Sequence, residues 1–345
     1  MDKLNYGKQS INADDKRAVL RVLNSDKLTQ GEEVEAFERE LAAYVGAKYA
    51  VACSNGTAAL YMAYSAVPVE VAAVVTPSIS FVATANMARA AGFSVEFADV
   101  DWSGMMVTPN NHRGIVAPVH MCGRSVDMNA IFKLNPIATV VEDACHALGG
   151  SYLGRKIGSC AWSKACVFSF HPVKSITTGE GGAVTTNSEA VYKQLVTLRN
   201  HGFEAGTHKQ TAMGFNFRMS ELQAALGRSQ LKRLDDFIDA RRKVAQIYCE
   251  ALDKCCRVPT FTEDSAWHLY AAHFQERDKV RTKLMNHGIN TQVHYAPIHK
   301  QPYWDTGKHL PGAEEWGRTE LSLPIYPDMT EEDAMRVVAA VKGAV

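Results

Sequence analysis

Apolar positions in the first part of the chain follow helical spacing. Between Val34 and Val45 they recur every three or four residues with charged residues between them, which predicts an amphipathic helix ending at Gly46. A preceding helix is predicted from Ala13 to Asn24, with Asn12 as its N-cap. The chain therefore begins with two helices before the pattern changes.

From Tyr49 onward, short apolar runs alternate with helical segments. The predicted strands are Tyr49 to Cys53, Ala73 to Thr76, Val95 to Ala98, Ile115 to Val119, Ala138 to Glu142, Ala165 to Phe170 and Ala183 to Thr186. Helices are predicted over 57–64 and 83–91. Nearly continuous apolar strands indicate a sheet covered by helices on both faces, with several parallel strands. In such α/β sheets, ligands bind where loops converge beyond the carboxyl ends of the strands.

The last third of the chain is mainly helical. One long amphipathic helix is predicted from Glu221 to Arg241 and beyond, and candidate strands follow at 269–274 and 291–294. These elements predict a large domain over residues 1–236 and a small C-terminal α+β domain over residues 237–345.

Composition narrows the classes of function. The chain has 345 residues, 46% of them hydrophobic, and 37 basic side chains balance 37 acidic ones. Without a long run of like charge, a nucleic-acid surface is not expected. The apolar stretch over 67–75 is too short to span a membrane, and the polar N-terminus does not read as a signal peptide. The eight cysteines lack zinc-site spacing, so we expect reduced thiols, no metal and a cytoplasmic location.

Two predicted strand ends carry polar residues that suit an ionic ligand. The segment 54–58 joins a strand to a helix, where free N–H groups and the hydroxyl of Thr57 suit a phosphate, although a simple capped turn is the alternative. Asp143 ends a buried strand, where a carboxylate is costly unless it meets a cation or a donor. A protonated heterocyclic nitrogen meets that need, and helix capping is equally consistent. His146 alone indicates only a packed histidine.

A lysine and an aromatic ring follow two further strands. Lys174 lies between an apolar strand and a glycine-rich stretch, so a tight cavity there would lower its pKa, whereas an ordinary lysine is solvated. Phe81 follows another strand and either stacks on a planar ligand or packs in the core. Together, a phosphate cradle, an aromatic plate, an acid and a lysine at one sheet edge are what pyridoxal 5'-phosphate (PLP) requires.

Several ordered motifs resemble those of the DegT/DnrJ/EryC1/StrS sugar aminotransferases. They are Glu142-Asp143-Ala144-Cys145-His146-Ala147-Leu148-Gly149, Phe168-Ser169-Phe170-His171-Pro172-Val173-Lys174, Thr177-Thr178-Gly179-Glu180-Gly181-Gly182, Asn216-Phe217-Arg218-Met219 and Gln223-Ala224-Ala225-Leu226-Gly227. The resemblance covers nearly the whole chain. It implies a PLP-dependent enzyme of fold type I, similar to aspartate aminotransferase, and a homodimer with shared active sites.

The resemblance also assigns residues to the cofactor and the substrates. It implies that Lys174 carries PLP as a Schiff base and that Asp143 pairs with the pyridine nitrogen. Thr57, Ala58 and Ser169 are implied to hold the phosphate, and Phe81 to stack on the ring. His146 is implied to lie near the ring oxygen, and Asn216 to reach the phosphate region of the neighbouring subunit. The positions that correspond to sugar-nucleotide contacts are Tyr6, Lys27, Thr29, His294 and Tyr295. For these five, ordinary surface or packing roles are the alternative.

Within the family, three segments look most like the enzymes of pseudaminic acid synthesis. They are residues 19–31, 80–87 and 292–298. This implies amino transfer from glutamate to the 4-keto carbon of a UDP-linked 6-deoxy-keto sugar. The alternatives are transfer to another nucleotide-linked 3- or 4-keto sugar and a non-catalytic PLP-fold sensor. A PLP-dependent sugar dehydratase is disfavoured because that branch has histidine at the position of Lys174.

Overall fold

One sheet forms the centre of the structure. The computed structural model describes residues 3–204, 206–305 and 307–345, and within them seven strands join in this sheet. The strands of the first 186 residues are β1 (Tyr49–Cys53), β2 (Ala73–Pro77), β3 (Ser94–Ala98), β4 (Ile115–Val116), β5 (Thr139–Asp143), β6 (Ser151–Tyr152), β7 (Arg155–Lys156), β8 (Ala165–Ser169) and β9 (Gly182–Thr186). β6 and β7 pair only with each other, as a small antiparallel ribbon.

The sheet order is β1-β9-β8-β5-β4-β2-β3, and β9 alone of these strands runs against its neighbours. The predicted α/β fold with a mostly parallel sheet is therefore confirmed. The predicted strand 115–119 was too long, because regular pairing stops before Pro118, which has no N–H to donate. Val119 contributes only an isolated bridge to Asp143.

Helices cover the sheet and form most of the remainder. They are α1 (Ala13–Leu23), α2 (Glu32–Val45), α3 (Gly56–Ala66), α4 (Ala83–Ala90), α5 (Met128–Leu134), α6 (Glu189–Arg199), α7 (Glu221–Leu231), α8 (Leu234–Leu252), α9 (Arg277–Asn286), α10 (Pro311–Thr319) and α11 (Glu331–Lys342). Asn12 caps α1 in a capping box with Asp15, as the sequence predicts. Gly46 ends α2 at a φ of 77°, a left-handed conformation that glycine adopts without strain.

The single long helix predicted from residue 221 onward was wrong. The structure has two helices, α7 and α8, because Arg233 leaves the helical region at φ −108° and ψ 4°. Its guanidinium pairs with the buried Asp15 and donates to Ser10 O. This anchor holds the break against α1, so α7 packs on α1 and α2 while α8 runs into the C-terminal part.

The C-terminal part is built on a two-stranded antiparallel sheet. Strands β10 (Tyr270–His273) and β11 (Glu320–Leu323) pair with each other, and α8, α9 and α11 pack around a core that includes Tyr248, Leu284 and Val337. The predicted boundary after residue 236 falls inside α8 and stays a prediction.

The predicted strand over residues 291–294 was wrong. The segment makes only one bridge, between Gln292 and Ser322. Regular pairing stops there because the next amides use side chains as acceptors: Val293 N–H donates to its neighbour's Oε1 and His294 N–H donates to Glu320 Oε2. The chain consequently leaves the sheet and enters a pocket.

Three features restrict the chemistry of the described residues. None of their helices has the length and apolar character needed to cross a membrane. No group of three or more His, Cys, Asp or Glu side chains among them is arranged to hold a metal ion. All eight cysteines are free thiols.

Candidate active site

A pocket of about 900 Å³ lies beyond the carboxyl ends of β1, β2, β5 and β8. This is the edge at which an α/β sheet binds ligands. The pocket brings together most of the residues that the sequence predicted for it. Those that line it are Tyr6, Thr57, Phe81, Asp143, His146, Ser169, Lys174, His294 and Tyr295.

The N-terminus of α3 forms one end of the pocket. Asn55 caps this helix, and its Oδ1 accepts the N–H of Ala58 at 2.8 Å. The first amides of a helix lack intrahelical acceptors, so the N–H groups of Gly56 and Thr57 remain for a ligand. Both residues line the pocket, together with Ser169. Ala58 does not line it and its amide is already used, so the assignment of Ala58 to the phosphate is not supported by its placement.

Two glycines permit the close packing of this cradle. A Cβ on Gly56 would lie 2.8 Å from Ser169 Cβ, and a Cβ on Gly182 would lie 2.5 Å from the carbonyl carbon of Asn55. Both separations are shorter than van der Waals contact. The helix N-terminus, the strand β9 and Ser169 can therefore meet only because these positions lack side chains.

We expect Gly182→Ala to deform the cradle, because the new methyl group meets backbone atoms that cannot rotate away. The free energy of unfolding should fall by about 2 kcal/mol, and PLP affinity should fall by about tenfold or more because the helix amides move. Thermal denaturation and a fluorescence titration with PLP measure the two effects. Gly343→Ala is the control, since its Cβ would meet nothing closer than 3.6 Å. Unchanged PLP affinity in Gly182→Ala would contradict this account.

Asp143 is a buried carboxylate with two donors and no ion pair. Its side chain is 5% exposed. Thr84 Oγ1 donates to Oδ2 at 2.7 Å, and Cys145 N–H donates to Oδ1 at 3.1 Å. No described residue forms a salt bridge with it. A buried carboxylate in this state suits a cationic ligand group, and the protonated ring nitrogen of PLP is such a group.

Lys174 occupies the same pocket, and no ion pair holds it within the described residues. Burial lowers the pKa of Lys174 below its ordinary value, and the fields of Cys145 and Asp143 act in the opposite direction. A lowered pKa increases the fraction of neutral amine, which is the form that attacks a carbonyl and accepts a proton. The arrangement can therefore supply both a nucleophile and a base.

Two buried histidines, His146 and His268, pack against each other with tilted rings in the pocket lining. His146 and His268 have ring centroids 4.5 Å apart, and both side chains are buried. Burial lowers the pKa of each well below the ordinary value for histidine. The Nδ1 atom of each is buried without a hydrogen-bond partner among the described residues, so a ligand with polar atoms fits there. His146 was among the residues predicted from the sequence, and His268 was not.

The segment that carries His294 and Tyr295 closes the opposite side. The hydroxyl of Tyr295 lies 3.2 Å from His146 Nε2, and its ring centroid lies 6.0 Å from that of Phe81. The ring of His294 lies 5.3 Å from that of Tyr6. Burial lowers the pKa of His294 to about 3 and raises the pKa of Tyr295 well above its usual value, so both side chains are neutral near pH 7.

Besides Ala58, three of the predicted residues lie outside this pocket. Lys27, Thr29 and Asn216 are exposed and do not line it. Thr29 forms an isolated bridge with Ser220, and Asn216 forms one with Asn200. A single subunit therefore does not bring these three side chains to the pocket, and the contacts expected of them stay predictions.

Comparison with known proteins identifies relatives over the full length. The family profile described as the DegT/DnrJ/EryC1/StrS aminotransferase family matches residues 9–342. A UDP-4-amino-4,6-dideoxy-N-acetyl-beta-L-altrosamine transaminase of Campylobacter jejuni is 33% identical, covering 96% of this chain and 94% of its own. The spore coat polysaccharide biosynthesis protein SpsC of Bacillus subtilis is 34% identical, with 99% and 97% covered.

The fold agrees with a solved relative of the same kind. Helicobacter pylori PseC, described as an aminotransferase in the biosynthesis of pseudoaminic acid, superposes with a TM-score of 0.94. It is 30% identical, with 99% of each chain covered. Further solved structures of this set are described in PLP- and PMP-bound forms.

Proposed function

Because this chain belongs to the DegT/DnrJ/EryC1/StrS aminotransferase family, we propose that it moves an amino group from glutamate to the 4-keto carbon of a UDP-linked 6-deoxy-keto sugar. The family is that of PLP-dependent nucleotide-sugar aminotransferases, so the enzyme class and the cofactor are established. The proposal adds the donor, the nucleotide and the position of the keto group. The proposed reaction belongs to the biosynthesis of nucleotide sugars of the pseudaminic acid type.

One observation carries the proposal at the level of chemistry. A lysine of lowered pKa and a buried carboxylate without an ion pair share one pocket with a helix N-terminus. PLP, when bound, supplies a ring that withdraws electrons from the reacting carbon. Asp143 would keep the ring nitrogen protonated, and Thr84 and the amide of Cys145 hold the Asp143 carboxylate in place.

The remaining pocket residues would hold and orient the cofactor. The free amides of Gly56 and Thr57, with the hydroxyls of Thr57 and Ser169, would bind the phosphate at the α3 N-terminus. Phe81, which is 57% exposed, would cover a face of the PLP ring. Such fixed contacts let the reacting atoms meet in one geometry.

Lys174 is the group that moves the proton. Its Nζ would accept the proton from the amino-bearing carbon of glutamate, and in the second half of the reaction it would return a proton to the sugar carbon. The lowered pKa matters because a lysine that stayed fully protonated could not act as the base. His146, held by Tyr295, is neutral and contributes no competing positive charge.

The sugar nucleotide enters on the side of Tyr6, His294 and Tyr295. These neutral, partly aromatic groups suit a hexose face and its hydroxyls. Lys27, Thr29 and Asn216 complete the site from the neighbouring subunit of a homodimer, with Asn216 near the phosphate of PLP. In that arrangement the isolated monomer is incomplete. A relative named for another pathway, the spore coat polysaccharide biosynthesis protein SpsC, is equally similar, which is why transfer to another nucleotide-linked 3- or 4-keto sugar is the second candidate.

The substrate assignment is tested by offering the PLP-loaded protein glutamate and a panel of UDP- and dTDP-linked 4-keto and 3-keto sugars. Mass spectrometry follows the replacement of the keto oxygen by an amine. We expect the UDP-linked 4-keto-6-deoxy sugar to react with the highest kcat/KM. Preference for a 3-keto or dTDP-linked sugar would favour the second candidate, and no amine with any sugar would point to a non-catalytic sensor.

We expect Tyr295→Phe to lower kcat/KM for the sugar by about tenfold, because it removes the hydroxyl that holds His146 Nε2. The ring, and with it the packing against Phe81, is retained. Steady-state kinetics with the preferred sugar measure the effect. Tyr303→Phe serves as the control, since this hydroxyl lies on a side chain that is 70% exposed. Equal kinetics for the two variants would exclude a role for the Tyr295 hydroxyl.

A further inference from the structure

Strand β11 presents two polar side chains to the active-site segment. Glu320 and Ser322 are two residues apart in this strand, so they project from the same face. Both are fully buried. Ser322 Oγ lies 2.6 Å from Glu320 Oε1 and 2.8 Å from His294 Nδ1. A carboxyl, a hydroxyl and an imidazole thus form a continuous hydrogen-bonded chain that ends in the pocket.

Every polar atom of His294 except one makes a hydrogen bond within the protein. Its N–H donates to Glu320 Oε2 at 2.7 Å, and its carbonyl accepts from Trp316 Nε1 at 2.9 Å. Its Nδ1 contacts Ser322 Oγ. The remaining atom, Nε2, makes no hydrogen bond with the described residues and is not fully enclosed, and the side chain lines the pocket. The ring is consequently fixed with Nε2 available to a ligand.

Glu320 is buried without a salt bridge to any described residue. Arg277 is the nearby cation, but its Nη1 donates to the Glu320 carbonyl and its Nε pairs with Asp278. The neutral acid is favoured because an unpaired buried carboxylate is costly. Burial accordingly raises the pKa of Glu320 to about 8.

Other titratable groups surround the two ends of the chain. Those facing Glu320 are Arg277 of α9, His273 opposite it on β10, Cys122 and His294. Those facing His294 are Lys174, His146, His268, Tyr6 and Tyr295. None of them forms an ion pair with Glu320 in the described residues.

The direction of the hydrogen bonds follows from the protonation of the acid. A protonated Glu320 donates to Ser322, Ser322 then donates to His294 Nδ1, and the ring proton must reside on Nε2. An ionised Glu320 accepts from Ser322, which then accepts from Nδ1–H, and Nε2 becomes an acceptor. One carboxyl proton therefore decides whether His294 offers a donor or an acceptor to the pocket.

We propose that Glu320, acting through Ser322, holds His294 in the Nε2–H form, so that His294 donates a hydrogen bond to an acceptor oxygen of the keto-sugar nucleotide. Glu320 and Ser322 are positioning residues in this scheme, because neither touches the ligand. The inference rests on the proposed function for the identity of the ligand. The hydrogen-bond chain itself is a property of the protein alone.

Three variants separate this role from general stability. Glu320→Gln reproduces the neutral acid, because its carbonyl accepts from His294 N–H and its amide donates to Ser322 in the same direction. Ser322→Ala breaks the chain. Thr319→Val is the matched control: it removes another buried hydroxyl that contacts a histidine, His273 Nδ1 at 2.9 Å, one residue before β11 and away from the pocket.

Nitrogen-15 NMR of labelled histidines tests the chain without cofactor or substrate, with the His294 signals assigned by their loss in His294→Gln. At pH 7 we expect the Nε2–H form in the wild type, Glu320→Gln and Thr319→Val, and a mixture of both forms in Ser322→Ala. Above pH 8, the Nδ1–H form should grow in the wild type and not in Glu320→Gln. An Nδ1–H form in the wild type at pH 7 would overturn the proposal.

Kinetics test the consequence for the ligand. Ser322→Ala should raise KM for the keto-sugar nucleotide by about tenfold with a smaller change in kcat, while the half-reaction with glutamate stays unchanged. In the wild type, KM should rise above pH 8 as the Nδ1–H form grows. In Glu320→Gln, KM should equal the wild-type value at pH 7 and should stay constant above pH 8. An unchanged KM in Ser322→Ala would refute the donor role. If no keto sugar is aminated at all, the proposed function fails, and the NMR result still decides the hydrogen-bond chain.

Discussion

Lys174→Ala is expected to abolish amino transfer, with turnover lowered by at least about 10⁴-fold. The substitution removes both the amine that we propose to bind PLP covalently and the proposed base for the proton transfer. No described lysine other than Lys174 lines the pocket, so no neighbouring amine replaces it. The visible absorbance of the lysine-bound cofactor should disappear in the same variant, while free PLP can still bind through its phosphate.

The control for this variant is Lys164→Ala, since Lys164 is exposed and precedes β8, the strand that leads to the active-site loop. It should retain normal turnover and absorbance. Addition of a small primary amine to Lys174→Ala should restore part of the proton transfer. Substantial unassisted turnover in Lys174→Ala would show that the base lies elsewhere.

Asp143→Asn is expected to lower kcat by about 10²- to 10³-fold, because the ring nitrogen loses the carboxylate that keeps it protonated. An amide keeps the size of the side chain and still contacts Thr84 Oγ1 and the amide of Cys145. The loss is therefore electrostatic, and the fold should remain intact. Single-turnover absorbance changes with glutamate measure the chemical step directly.

The matched control is Asp127→Asn. Asp127 is also a carboxylate that accepts a backbone N–H, in this case that of Ala130 at the start of α5. An asparagine keeps that cap, and Asp127 is remote from the pocket lining, so its kinetics should be normal. Thr84→Val should fall between the two, since it frees one oxygen of Asp143 while the charge remains. A normal rate in Asp143→Asn would mean that this carboxylate does not face the ring nitrogen.

The sheet could be predicted from the sequence because local pattern decides it. Apolar runs bounded by turn residues predicted both ends of β1, Tyr49–Cys53, correctly. They also predicted the other six strands of the main sheet, with one or both ends differing from those observed. The errors arose where tertiary contacts override the pattern. The break before α8 depends on Arg233 meeting Asp15, and the segment at 291–294 leaves the sheet because its amides bond side chains.

The site residues that could be predicted from the sequence are those at or just beyond the ends of strands. Asp143, Ser169 and Lys174 are of this kind, and the structure places all three in one pocket. His268 was missed because it precedes β10 in a distant part of the chain, and its only signal was a polar residue within an apolar run. Glu320 was missed for the same reason. Their roles depend on how the C-terminal part folds over the sheet edge.

The exposed positions of Lys27, Thr29 and Asn216 could not be interpreted from one chain. In the proposed function these side chains act across a subunit interface, and composition or periodicity does not describe such an interface. Sedimentation of the PLP-loaded protein tests this part, with a dimer expected.

Borohydride reduction of the PLP-loaded protein, followed by proteolysis and peptide mass spectrometry, tests the central claim most directly. Reduction makes the bond between cofactor and amine permanent at whichever lysine forms it. We predict one reduced pyridoxyl adduct, on the peptide that contains Lys174. An adduct located mainly on another lysine, or none at all in protein that holds PLP, would contradict the account of this pocket.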